Sequence, residues 1–529
     1  MRIRHAVEAD LPRLMEIYAY ARDFMAAHGN PAQWGPTHWP PQELIRQDIE
    51  CGKSYVCEEN GRIAGVFYYD FGKDIEPAYN VIEDGSWKDD SPYGVIHRIA
   101  GDGSVKGVGA FCINWALTRC GHLRIDTHPD NKVMQSLLAK LGFERRGIIH
   151  VPEDEYPRFA YEKSVIRYPD YDRCLVNLAC SVAKEFHVTP PNASLPECDR
   201  LFHGQKNVVL LVLDGMGTAV MEGNLDKDGF LRSHQISSIS SVFPSTTVAA
   251  TTSLRSGLYP IQHSWLGWDC YFHQLDRNVS VFPNTFSETD IPAAPFSIAE
   301  SYIPYQSVVQ AIRLAGGDAR ELADYKMPNP KDFDAFFDTL SQWCGEPGRK
   351  YIYAYLEEPD HTMHAHGCYG HTARRTLRML ERKIRTLSET LTDTLLLITA
   401  DHGHIDLTEK TAIQEDPVMS VCLLRAPSLE PRAINFFIKK GREQEFEQHF
   451  RSTCKEAFRL FSREEFLSRE LFGKGTPHPQ ALTMLGDYIA AGTGRSAIFN
   501  TPEEKKRFTG HHTGLTQEEM TVPLIAADL

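Results

Sequence analysis

The chain has 529 residues, 42% hydrophobic and 24% charged, enough for a soluble globular core and too balanced for a disordered or fibrous protein. Its formal net charge of -14, with no long run of Lys or Arg, argues against duplex nucleic acid as a main partner. The longest apolar runs are strand-sized, so no membrane span is expected. The N-terminus lacks an apolar signal core and the 12 cysteines form no CxxC pair, which places the expected compartment in the reducing cytoplasm.

Taken in chain order, the first block covers 1–165. A strand at 3–7 precedes a helix with Asp10 as N-cap and Pro12 in its first turn. Asn60-Gly61 between alternating segments predicts a hairpin. A strand at 93–100, the glycine-bearing segment 101–111, a helix and a strand at 123–128 follow. The helix 132–141 then ends at Gly142. The polar, turn-rich stretch 151–172 reads as a junction. The second block, 166–529, alternates apolar runs (207–214, 351–360, 394–403) with helical stretches, the pattern of a mostly parallel α/β sheet. The region of about 405–490 has a different rhythm and reads as an inserted cap, with a helix around 445–458 and a strand-like stretch at 481–492.

Three aspartates, Asp214, Asp360 and Asp401, end strand-like runs, where ligands bind in open α/β sheets. Three carboxylates gathered there would repel one another, and a cation is the usual remedy. Histidines stand beside them: His361, His364 and His366 after Asp360, His402 and His404 after Asp401, and His511 and His512 further on. Such mixed Asp/His sets suit Zn²⁺, with Mn²⁺ as the second choice. Thr246 and Thr247 begin a helix that Gly257 ends. At that helix start they either serve only as caps or present a hydroxyl for attack on phosphorus.

The segments LDGMG, FPSTT…SGLYP, EEPDHTMH, TADHGH and GHHTGLTQEEMTVPL, in this order, resemble the nucleotide pyrophosphatase/phosphodiesterase branch of the alkaline phosphatase superfamily. The resemblance implies an alkaline-phosphatase-like α/β fold and two divalent ions. It makes Thr247 the nucleophile that forms a covalent phosphothreonine or its ester. One ion falls to Asp214, Thr247, Asp401 and His402, and the other to Asp360, His364 and His512. His361, His366, His404 and His511 match no ligand position. The implied substrate is a small phosphodiester or nucleotide pyrophosphate, with a phosphomonoester or phosphonate as the alternative. Trp268 stands where many members carry a phosphate-binding Asn. The run Trp265, Trp268, Tyr271 and Phe272 is then either a stacking platform for a base or aryl group or plain core. Arg255, eight residues along the nucleophile helix and about 12 Å down its axis, is too far to hold a phosphate dianion, which favours diesters.

The first block, by the strand HRIA, the loop VKGVGAF, the strand LRIDTH and DNKVMQSLLAKLGFERRGII, resembles the GNAT acyl-CoA N-acyltransferases, an α+β fold with a mixed, mostly antiparallel sheet. The resemblance gives the acetyl-CoA pyrophosphate to the amides of Val105, Gly107, Val108, Gly109 and Ala110, and the pantetheine arm to Asn131. The acceptor is an unidentified amine. Ser104 replaces the loop's leading Gln/Arg, and Leu138 replaces a tyrosine that often protonates the thiolate. The block is therefore either an acetyltransferase or a CoA-binding sensor. The resemblance names no general base; Glu76 and His97 are two residues that could serve.

Overall fold

The structure is a computed structural model that describes residues 1–88, 90–152, 155–327, 332–454 and 456–529. The chain divides into two compact units, one formed by Met1–Ile166 with Glu456 and Ala457, the other by the rest of the chain from Arg167 onward.

The first unit is built on a seven-stranded sheet, in the order Arg2–His5, Ser54–Glu59, Arg62–Gly72, Tyr93–Gly101, His122–Thr127, Pro157–Ser164, Glu144–His150. Only Tyr93–Gly101 and His122–Thr127 pair in parallel; the other neighbours are antiparallel. Asn60 and Gly61 both take positive φ, as a tight hairpin joining its two strands requires. The stretch expected as a junction instead contributes the strand Pro157–Ser164, whose Ala160 and Tyr161 enter the core; residues 153 and 154 of it lie outside the described residues. The helix Val108–Cys120 starts at Gly107 (φ 85) and ends at Gly121 (φ 68), burying Cys112, Ile113 and Ala116 against the sheet.

The second unit centres on a six-stranded sheet, ordered Asp318–Ala323, Lys350–Leu356, Asn207–Leu213, Thr394–Thr399, Thr521–Asp528, Gln235–Ser240. The first four are mutually parallel; Thr521–Asp528 runs antiparallel to both its neighbours, so Gln235–Ser240 points the same way as the first four. Every residue of the three central strands is buried, which is why their sequences are continuous apolar runs rather than alternating ones. Asn207 pairs with Lys350 on one side and with Thr394 on the other, so the three strands run in step and end at one edge. Asp214, Asp360 and Asp401 follow those ends within a few residues.

A second, wholly antiparallel sheet of seven strands forms the cap. The expected insertion supplies four of them: Ser428–Glu430, Ala433–Phe436, Phe458–Ser462 and Tyr488–Gly492. The other three, Asp269–Phe272, Arg277–Ser280 and Thr285–Phe286, come from the segment that follows the Thr247 helix. Within the stretch 481–492, Ala481–Met484 is helical and only Tyr488–Gly492 is a strand. Among the described residues no helix is long and apolar enough to cross a membrane, and all twelve cysteines are free thiols.

Candidate functional site

Thr247 opens the helix Thr247–Ser256, with Thr246 as an extended N-cap and Gly257 (φ 71) closing the other end. The preceding Ser245 forms an isolated bridge with Thr513 and donates its hydroxyl to the Gly514 carbonyl at 3.0 Å, which sets His512 beside the Thr247 helix. The Thr247 hydroxyl lies 3.3 Å from Asp214 Oδ2 and 3.2 Å from His402 Nε2. Tyr355 donates its phenolic hydrogen to the same Asp214 oxygen. Asp401 Oδ1 accepts from the Gly215 and His402 backbone amides at 3.1 and 2.9 Å, turning Oδ2 toward His402 Nε2, 3.5 Å away. Asp360 and His364, one turn apart on the helix Asp360–His366, meet at 3.1 Å.

The three histidines assigned as ligands share one arrangement. His364 Nδ1 faces the Gly510 carbonyl, His402 Nδ1 the Gly403 carbonyl and His512 Nδ1 the Ser245 carbonyl, at 3.1, 3.0 and 3.1 Å. A carbonyl only accepts, so in each ring Nδ1 carries a hydrogen and Nε2 is the nitrogen left for a ligand. Nε2 points at a carboxylate: His364 and His512 at Asp360, His402 at Asp214 and Asp401. Metal-binding imidazoles are held in this way, by a fixed partner on the far nitrogen.

Of the histidines without a match, His361 and His366 are exposed, whereas His404 and His511 are buried. His404 turns Nε2 toward Asp360 Oδ1 at 3.3 Å, closer than His512 at 3.8 Å, while its Nδ1 lies 3.4 Å from the Cys368 sulfur. The ring fits because residue 510 is glycine, where a Cβ would come within 2.7 Å of His404 Cε1. His404 thus sits in the cluster although the family pattern gives it no role.

Electrostatics shows what the cluster lacks. Burial, then repulsion from Asp401 and Asp360, holds the Asp214 carboxyl well above its usual range; burial also raises Asp401, with His402 pulling against it. Asp360 is pushed up by burial but drawn well below its usual range by His364 and His404. Burial and neighbouring imidazoles keep His511 and His512 far below the ordinary histidine range, hence neutral. Asp214 Oδ1, Asp360 Oδ1, Asp401 Oδ2 and His404 Nε2 are buried without a hydrogen-bond partner among the described residues. Three sets, Asp214/Asp401/His402, Asp360/His402/His512 and Asp360/His364/His404, each hold donor atoms within 4.8 Å of one another. Orphaned carboxylate oxygens opposite imidazole nitrogens are a donor set for divalent cations.

The aromatic run that follows the Thr247 helix divides. Trp265, Tyr271 and Phe272 are buried, Trp265 donating to the Ile303 carbonyl, while Trp268 is 43% exposed. Arg255 is committed to Glu321 at 2.7 Å, among tyrosines away from Thr247. One residue that no motif flagged joins the site: Glu430, from the cap strand, accepts the Thr246 hydroxyl at 2.7 Å and the Trp268 amide at 2.8 Å. Burial pushes its carboxyl up to about 7, with those two hydrogen bonds pulling the other way.

In the first unit, the helix start carries Val108, Gly109 and Ala110, first-turn amides with no acceptor inside their own helix; Gly107 precedes them and Val105 packs against the core. Ser104 is tied by its amide and hydroxyl to Asp102, which also receives Arg13 and Arg62. Asn131 caps the helix Lys132–Lys140 through Met134 N and donates to Gln33. Leu138 is fully buried core. Glu76 and His97 form a pair at 2.9 Å, with Asp126 3.6 Å from the other ring nitrogen and Tyr79 donating to Asp126.

The model of the type I phosphodiesterase / nucleotide pyrophosphatase family matches residues 208–513, over half of the chain. Among solved structures, murine ectonucleotide pyrophosphatase/phosphodiesterase 5 is similar at 15% identity, covering 60% of this chain and 87% of that one, with a TM-score of 0.48. The human counterpart gives 15%, 60%, 87% and 0.44. A GNAT-family acetyltransferase from Streptococcus agalactiae is similar at 27% identity, covering 31% of this chain and 94% of that one, with a TM-score of 0.29. No curated protein matches the chain.

Proposed function

Since the chain belongs to the type I phosphodiesterase / nucleotide pyrophosphatase family, we propose that its second unit hydrolyses small phosphodiesters or nucleotide pyrophosphates through a covalent Thr247 intermediate. The observation that carries this reading is the shared setting of His364, His402 and His512. Each has Nδ1 fixed on a carbonyl and Nε2 aimed at an aspartate with an orphaned oxygen, beside the Thr247 hydroxyl. Asp214, Thr247, Asp401 and His402 would hold one divalent ion, Asp360, His364 and His512 the other, with zinc favoured by the donor set. Bound there, the ions would neutralise the buried carboxylates and favour the alkoxide of Thr247.

The chain's own groups do the rest. Asp214 and His402 orient the Thr247 oxygen for in-line attack, and the free amides of the helix start face the developing charge. The Thr247 Oγ–P bond forms as the bond to the leaving alcohol or phosphate breaks. Water then adds to phosphorus and releases Thr247. Arg255, spent on Glu321, leaves no arginine of this helix for a phosphate dianion, so diesters are preferred to monoesters. Replacing Thr247 with Ala should abolish hydrolysis of bis(4-nitrophenyl) phosphate while zinc content stays intact; retained turnover rejects the assignment. Rates on matched monoesters, diesters and phosphonates decide among substrate classes.

For the first unit the proposal is amine acetylation from acetyl-CoA. Its support is the glycine-started helix with open amides and the Glu76–His97 pair. The competing reading is a CoA-binding sensor for the hydrolase. Calorimetry with acetyl-CoA followed by an amine screen separates them, since transfer to any amine ends the sensor reading. Cytoplasmic residence is proposed from the reduced cysteines.

A further inference from the structure

Glu430 is set into the site more firmly than a chance cap residue. Its strand pairs with Ala433–Phe436, and Leu429 bridges Asp269. Gly267 lies so close to Leu429 that a Cβ there would be 2.9 Å from its Cα. The carboxyl is pinned through Oε1 alone, by the Thr246 hydroxyl and the Trp268 amide; Oε2 accepts nothing among the described residues. The nearby charges are accounted for. Asp269 is held by the Ser280 and Ser287 hydroxyls, and Arg432 is buried on Glu519. Beside Glu430, Trp268 presents an exposed ring, edge-on to the equally exposed Phe282 at 5.9 Å.

A carboxylate oxygen repels phosphoryl oxygens, so this corner is not where the phosphate sits. It combines a carboxylate oxygen that accepts nothing among the described residues with the exposed indole of the residue whose amide anchors the other oxygen, two elements that bind an ammonium group, by a charge-assisted hydrogen bond and by cation–π attraction. We propose that Glu430 and Trp268 form a subsite for an ammonium group on a substituent of the phosphoester, making aminoalkyl phosphodiesters the preferred substrate class. This inference rests on the phosphodiesterase reading above. Acetylating that amine would remove its charge, so the acetyl transfer proposed for the first unit would convert a favoured substrate into a disfavoured one.

The test uses the full chain loaded with zinc and three esters releasing 4-nitrophenolate: 2-aminoethyl 4-nitrophenyl phosphate, its N-acetyl derivative, and the 2-hydroxyethyl analogue. The wild type should prefer the amine over both by about ten- to a hundred-fold in kcat/KM, the range of one charged hydrogen bond. Glu430→Gln, which keeps the anchored carbonyl oxygen, should bring both ratios to near one, and Trp268→Leu should lower them by a smaller factor. Taking ratios within each variant cancels any general loss of activity. Turnover of all three esters at equal efficiency by the wild type, or a preference that survives Glu430→Gln, overturns the subsite and leaves the phosphodiesterase reading standing. Preference for the hydroxyl analogue over the amine also overturns it. A zinc-loaded wild type that turns over none of the esters overturns the phosphodiesterase reading, and the subsite with it.

Discussion

Asp401→Asn should stabilise the second unit when metal is absent and destabilise it when zinc is present. Asparagine keeps an Oδ1 to accept from Gly215 and His402, so the backbone contacts at 3.1 and 2.9 Å survive. What changes is the charge. Donor atoms of Asp214, Asp401 and His402 lie within 4.8 Å of one another. At an effective dielectric of about 20, two unit charges at that separation repel by about 3 kcal/mol. Asp214 and Asp401 are raised in the fold, first by burial. A raised carboxyl contributes stability below its unfolded pKa of about 4 and loses it as pH rises through the folded value. In chelator, the advantage of Asn over Asp should therefore be near zero at about pH 4 and grow as pH rises and the second carboxyl ionises, toward about 3 kcal/mol, on the order of 5 °C in the midpoint. In zinc the sign should reverse, because an amide is a poor substitute for an anionic ligand. Scanning calorimetry of both proteins across that pH range, in EDTA and in zinc, reads both halves. A chelated Asp401→Asn variant no more stable than wild type at the alkaline end, or an equal gain in zinc, would refute the idea that these carboxylates are crowded for the sake of a cation.

Further outcomes follow from the same geometry. His404→Ala should weaken binding at one of two zinc sites about 10- to 100-fold in a dye competition, because Nε2 faces an orphaned Asp360 oxygen; unchanged affinity at both sites would make His404 mere packing. Gly510→Ala places a Cβ 2.7 Å from His404 Cε1 and 2.9 Å from the Met363 carbonyl. It should cost zinc at that same site, and full metal content would contradict it. Glu76→Gln should slow acetyl transfer, followed by free thiol release, at least about 10-fold if the Glu76–His97 pair is the base; an unaltered rate moves the base elsewhere.

The gathering of Asp214, Asp360 and Asp401 in the second unit was legible because they follow strand ends. Runs such as VVLLVL announce buried parallel strands, and strands in step must deliver the residues that follow them to one edge. The helix stop at Gly257 and the hairpin at Asn60-Gly61 were equally readable, since both need positive φ. The cap was not. Its sheet joins 269–286 to 428–492, pairings more than a hundred residues apart that no local pattern encodes. Glu430 was hidden for the same reason, its role depending on Thr246 and Trp268 reached across that sheet. The strand Pro157–Ser164 was masked by its charged residues, of which Arg158 and Glu162 are buried, and His404 by matching no ligand position of the family.

The most direct test of the central claim is the covalent intermediate itself. Zinc-loaded enzyme turning over bis(4-nitrophenyl) phosphate, quenched in acid within a turnover and digested, should yield a peptide carrying a 4-nitrophenyl phosphoryl group whose added mass maps to Thr247 by tandem mass spectrometry. An adduct on any other residue, or steady turnover with none formed under the same quench, would contradict the account.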